Sequence, residues 1–183
     1  QAIDQDHENP IQLMVQMWQG KGMVAQHAWL TPRDLIAKAG GWDESLLINQ
    51  DGEFFCRVLM QATGIRFAPD ALVYYRSGMS HSVSKKKISI ERARSLLSSY
   101  QSYEQVLKRE DNMVVRKALA NNYLNFIYQY HITFPALAKE AEASFFRLNV
   151  GKMWPVGGER FRQIARVIGY KNALIFKYVF SNK

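Results

Sequence analysis

Gly40-Gly41-Trp42-Asp43-Glu44, followed closely by Asn49-Gln50-Asp51-Gly52-Glu53-Phe54-Phe55-Cys56-Arg57, is the stretch on which the reading of this chain turns. Paired glycines permit backbone angles closed to other residues, so they suit the end of a helix over Pro32 to Ala39 and a tight bend after it. Trp42 then projects from a constrained loop. Asn49 is placed to cap a second helix, with Asp51 and Glu53 in its first turn, where carboxylates interact favourably with the helix dipole. Phe54, Phe55, Val58 and Leu59 supply the buried face of that helix. Glu53 and Arg57 stand four apart, the spacing of a helix-surface ion pair worth about 0.2–0.5 kcal/mol. Asp51 has two readings. A carboxylate at a helix start beneath a Trp-bearing loop can aim into a cleft and take a proton from an attacking hydroxyl; alternatively, it caps the helix.

The block Gly40 to Arg57 resembles the acidic motif of bacterial family 2 glycosyltransferases of the GT-A fold. The family's usual form is a Gly-Gly-aromatic-Asp-Glu turn and then Glu-Asp-x-(Asp/Glu)-x-x-x-Arg. Trp42-Asp43-Glu44 fills the turn, and Asp51, Glu53 and Arg57 fall in register, with Gln50 in place of the commoner Glu. The similarity extends upstream through Ala28-Trp29-Leu30-Thr31-Pro32-Arg33 and downstream through Gly64-Ile65-Arg66-Phe67-Ala68-Pro69 and Val73-Tyr74-Tyr75-Arg76-Ser77-Gly78. It implies that Asp51 is the general base of an inverting hexosyltransferase. That base deprotonates an acceptor hydroxyl, which displaces a nucleoside diphosphate from the sugar's anomeric carbon. Trp42 and Asp43 would line the acceptor side, with Glu53 and Trp29 as further substrate contacts; either Trp could equally be core, Trp29 the more so between Ala28 and Leu30.

The resemblance also implies an Asp-x-Asp that holds a divalent metal, Mn or Mg, on an earlier half of the domain. Asp4-Gln5-Asp6 has the letters, but no apolar strand precedes it, and it reads as a polar lead-in to a helix from Pro10 to Trp18. The expectation is therefore an α/β chain, mostly helical: residues 1–87 as the C-terminal part of a GT-A domain with short strands, and residues 88–183 as a basic helical extension. The metal is expected in the full-length enzyme only, and the fragment alone is expected to be inactive. No glycine-rich phosphate loop, zinc-ligand cluster or Ser-His-Asp arrangement offers a competing chemistry.

The junction Tyr75 to Lys87 is rich in small polar residues and ends in three lysines. Such a loop can fold over a diphosphate, with Arg76 and Lys85 meeting its oxygens, although Lys85 to Lys87 reads equally as a solvated helix start. His81 is the candidate for the C-terminal His that joins the metal shell in many GT-A enzymes; as a lone His in a polar loop it also reads as solvated.

Length and composition fit a globular piece: 183 residues, 48% hydrophobic and 13% aromatic. A single Cys56 excludes an internal disulfide and fits a reducing compartment. No apolar run reaches the roughly 18–20 residues of a membrane-crossing helix. Charge divides unequally, with 6 Lys and Arg against 9 Asp and Glu up to residue 80, then 18 against 7, a net of +11, beyond it. A basic half beside an acidic one suggests an anionic partner: the nucleotide-sugar donor, a saccharide or lipid-linked acceptor, or an anionic membrane surface. The location this implies is cytoplasmic, peripheral to the inner face of the plasma membrane, in cell-surface polysaccharide or glycolipid synthesis.

Strands are expected at Met23 to Leu30, Ile65 to Ala68 and Ala71 to Tyr75, and helices at Ile88 to Lys108, Asn112 to His131, Pro135 to Leu148, Gly158 to Ile168 and Lys171 to Phe180. Leu96, Tyr100, Tyr103 and Leu107 recur at three and four, as do Leu119, Tyr123, Phe126, Ile127 and Tyr130, marking amphipathic faces. The last 26 residues, Gly158 to Lys183, interleave Arg160, Arg162, Arg166, Lys171 and Lys177 with apolar residues. That pattern packs against neighbouring helices or lies on an anionic bilayer. Two other classes stay open: a nucleic-acid-binding helical protein, which leaves the Asp51 block unexplained, and a non-catalytic interaction module.

Overall fold

Helix α1 (Pro10–Trp18) begins where the sequence puts it: Pro10 occupies the first turn and the Asn9 side chain accepts from the Ile11 N–H at 2.9 Å. The computed structural model that shows this describes residues 1–74 and 89–181, in two compact units, Gln1–Val106 and Leu107–Lys183. Arg76, His81 and Lys85 lie outside the described residues.

In the first unit, α2 (Arg33–Ala39) ends at Gly40 with φ 81°, a backbone that favours glycine. Helices α3 (Gln50–Leu59) and α4 (Ile90–Val106) pack together, and α1 and α2 pack on α3. Leu13, Met14, Phe54, Val58, Leu59 and Leu97 form the core, and Trp18 of α1 stacks on Tyr103 of α4 at 4.8 Å. Helix α4 belongs with this unit, whereas the sequence boundary at 87/88 placed it in the extension. Its inward face is Ala93, Ser95, Leu97, Ser99 and Tyr103, with Leu96 and Tyr100 only half-buried, because its serines turn toward polar groups of the α3 loop.

The expected strands do not form among the described residues. Met23 to Leu30 contains a 3-10 turn at Gln26–Ala28, and residues 71–74 have no regular structure. The one pairing among the described residues is an isolated antiparallel bridge, His7 with Ile65, closed by N–H to O distances of 2.9 and 2.7 Å. A strand needs a neighbour for its backbone groups, and the side chains of Leu30, Leu72 and Tyr74 are turned to solvent instead. Asp4-Gln5-Asp6 is also more than a lead-in: Asp6 accepts from the Phe67 N–H at 2.8 Å and pairs with Arg66, clipping the chain start to residues 65–67. The described chain is thus mostly helical rather than α/β.

In the second unit, α5 (Met113–Tyr130) is capped by Asn112, whose side chain accepts from the Val114 and Val115 N–H groups at 3.0 Å. It packs against α6 (Pro135–Arg147), and α7 (Glu159–Ile168) packs against α8 (Tyr170–Ser181). The stripe Leu119, Tyr123, Phe126, Ile127 and Tyr130 is buried as its spacing predicts. Tyr170 ties α8 to α5 by donating to the Leu124 carbonyl at 2.7 Å. No helix among the described residues is long and apolar enough to cross a membrane.

Candidate active site

The start of the loop from Gly40 to Asn49 is held by the Arg57 side chain. Its guanidinium donates to the Ala39 carbonyl, to the Gly41 carbonyl at 2.8 Å and to both carboxylate oxygens of Glu53 at 2.8 Å. The carbonyls freed at the end of α2 are thereby tied to α3. Glu53 and Arg57 are therefore not the surface pair their spacing suggests. The Glu53 side chain is 5% exposed and also accepts from the Ser102 hydroxyl at 2.9 Å. Its carboxylate is committed to positioning the loop, which accounts for its charge without a ligand.

Trp42 follows this anchor. Its indole stacks on Phe54 at 4.5 Å and 11°, meets Phe55 edge-on at 6.4 Å and stays 46% exposed. Trp29 stacks on the same Phe55 at 5.2 Å and is half-buried. The two tryptophans thus flank a row, Trp29, Phe55, Phe54, Trp42, with Arg57 over the Phe54 ring at 5.6 Å. Phe54 and Phe55 read as core residues in the sequence; their part in seating both tryptophans is visible only once α3 is folded. Asp43 closes a turn, accepting from the Ser45 N–H at 2.9 Å and the Ser45 hydroxyl at 2.6 Å; these bonds lower its carboxyl pKa.

Asn49 stands at the helix start as expected, but its side chain does not cap α3. Its backbone is left-handed, φ 60°, and its amide donates to the Ser99 hydroxyl and the Tyr103 hydroxyl, each at 2.8 Å. Ser95 accepts from the Leu47 N–H at 2.7 Å. Helix α4 therefore supplies a polar ladder, Ser95, Ser99, Ser102 and Tyr103, that fixes the loop before α3. Spacings of four from Ser95 to Ser99 and from Ser99 to Tyr103, and of three from Ser99 to Ser102, were the available signal. Burial raises the Tyr103 hydroxyl pKa well above its ordinary value, and burial likewise pushes up the Cys56 thiol beneath it.

Two acids of this block, Asp51 and the exposed Glu44, stand apart from these contacts among the described residues. Asp51 is half-buried in the first turn of α3, and its carboxylate makes no hydrogen bond or ion pair with any described residue. Asp43 is engaged by Ser45 and Glu53 by Arg57 and Ser102, and Asp51 differs from Glu44 in being half-buried on a helix start rather than exposed in the loop. A carboxylate held on a rigid helix start without a partner can accept a proton.

A cavity of about 740 Å³ in the first unit lies elsewhere: Ile3, His7, Leu13, Trp29, Leu59 and Phe67 are among its walls, and Asp51 and Trp42 are not. Among the described residues, no three His, Cys, Asp or Glu groups come together that could hold a metal ion, so no step is derived through one. No family model matches this chain, and no curated protein or solved structure matches it.

Proposed function

We propose that this chain is the acceptor-side part of an inverting glycosyltransferase of the family 2 type, with Asp51 as the general base. The observation that carries the reading is the half-buried Asp51 carboxylate, without a partner among the described residues, on a helix start that Arg57, Glu53, Asn49 and Ser99 hold rigid. In the reaction, the acceptor hydroxyl gives its proton to an Asp51 oxygen as the acceptor oxygen bonds to the anomeric carbon. The bond from that carbon to the donor's diphosphate breaks on the opposite face, and the diphosphate leaves with the electron pair. The exposed face of Trp42 offers a flat apolar surface for the acceptor sugar, and Asp43 holds the turn that presents it. Arg76 and Lys85 toward the diphosphate, and His81 toward a divalent ion, belong to the same proposal. The nucleotide-binding half is not part of it, so the chain alone is expected to transfer little or no sugar.

The test uses a polypeptide that joins this chain to its nucleotide-binding half, assayed over a panel of nucleotide sugars with manganese or magnesium. Asp51→Asn is expected to lower transfer by about 10²–10⁴-fold while donor binding persists. Transfer unaffected by the substitution would overturn the assignment and favour the non-catalytic interaction module.

A further inference from the structure

Helices α7 and α8 carry more apolar surface than their own core takes up. In α7, Phe161 and Ala165 are buried, yet Ile164, Val167 and Ile168 line an open groove, with Val167 85% exposed. In α8, Tyr170, Ala173 and Leu174 are buried, while Ile175, Phe176 and Val179, on the other side of the helix, are exposed. Apolar residues on both sides of a helix call for a second apolar surround.

Charge selects which surround. Gly158 to Lys183 holds six Lys and Arg against the single acid Glu159. Arg162 takes up Glu159, Lys171 pairs with Glu142, and Lys177 lies 3.6 Å from the Tyr128 ring centre and donates to the Tyr128 carbonyl at 3.0 Å. Arg160 and Arg166 are exposed and form no ion pair among the described residues. A second copy would set a net +5 segment against another of the same sign. An anionic lipid surface answers both demands, since it is apolar within and negative at its face.

We propose that α7 and α8 form an interfacial element that lies on an anionic bilayer. Val167, Ile168, Ile175 and Val179 enter the acyl boundary, and Arg160 and Arg166 meet the lipid phosphates. The element lies flat rather than spanning: the 12 residues of α8 extend about 18 Å, against a hydrocarbon core of about 30 Å. This inference rests on exposure and charge and is independent of the role of Asp51.

The test is co-sedimentation of the whole chain with phosphatidylcholine vesicles, with and without phosphatidylglycerol. Binding is expected only with phosphatidylglycerol, and it should weaken at least about tenfold as salt shortens the screening length from about 10 Å to about 3 Å. Arg160→Ser with Arg166→Ser should weaken it about thirtyfold. Ile175→Ser with Val179→Ser should do so by about tenfold or more. All four side chains are exposed or lie on exposed helix faces, so helical circular dichroism should be unchanged. No binding to anionic vesicles at low salt overturns the proposal, as does binding by both double variants as strong as that of the unsubstituted chain. Salt-sensitive binding to DNA without vesicle binding, or a concentration-dependent dimer abolished by Ile175→Ser without vesicle binding, overturns it in favour of those partners.

Discussion

Asn49 combines two demands that few residues meet. Its backbone is left-handed, which costs most residues about 1–2 kcal/mol but Asn and Gly much less, and its amide holds Ser99 and Tyr103. Asn49→Ala loses the bonds and adds the strain, whereas Asn49→Gly loses only the bonds. In urea denaturation the Gly variant should therefore be more stable than the Ala variant by about 1 kcal/mol; equal losses would show that the backbone geometry contributes nothing. Gly52 sits in the same knot. A Cβ there would run into the Tyr103 hydroxyl and the Asn49 side chain, and neither is free to swing away. Gly52→Ala should cost about 1–3 kcal/mol by the same measurement, and a neutral result would mean that the Asn49–Tyr103 contact is dispensable. The sequence marks Asn49 as a helix start and leaves Gly52 without a reason, because that reason is a side chain on α4, far along the chain.

Arg57 acts at the scale of elements, joining the end of α2 to the first turns of α3. Arg57→Met would leave the Glu53 carboxylate buried with only Ser102 as a partner, a situation that costs about 3 kcal/mol. Glu53→Gln combined with Arg57→Met should recover part of that loss, since no buried charge remains. The check is the denaturant midpoint together with Trp42 fluorescence, which should shift to the red as the loop loosens. A loss below about 1 kcal/mol would return the pair to the class of exposed salt bridges. Helices were legible because their signals are local. Pro10, Asn112 and Pro135 mark starts, Gly40 and Gly169 mark ends, and the three-and-four spacing of Leu119 to Tyr130 marks a face. The strands were misread because apolar runs such as Ala71 to Val73 become strands only where another strand accepts their backbone. Beyond the His7–Ile65 bridge, the described chain offers none.

Across the whole molecule, buried acids set an alkaline limit on stability. Burial raises the Cys56 thiol above its ordinary 9.0, and it raises the Tyr103 and Tyr170 hydroxyls above their ordinary 10.0. As pH rises the unfolded chain releases these protons first, so the unfolded state binds fewer protons and stability falls. The contribution is intact below about pH 9 and is lost progressively above it. The urea midpoint should hold up to about pH 9 and drop as pH rises beyond it, and Cys56→Ala should remove the part of the decline that begins near pH 9. A midpoint that does not move would mean that solvent reaches these groups in the folded state. Charge also sorts by unit. Residues 107–183 hold 13 Lys and Arg against 5 Asp and Glu, a net of +8, while Gln1–Val106 is neutral.

The sequence by itself determined the helices, the aromatic stripe of α5, the lone cysteine and the basic second half, since each is written in neighbouring residues or in composition. It also singled out Asp51, through residue types and spacing within one short block. Only the tertiary structure decided that Glu53 is buried and bound, that Asn49 reaches across to α4 instead of capping α3, and that Asp51 meets no partner among the described residues. Those outcomes depend on which side chains of α4 arrive opposite α3. That is a long-range packing result, and the local spacing of acids and glycines does not contain it.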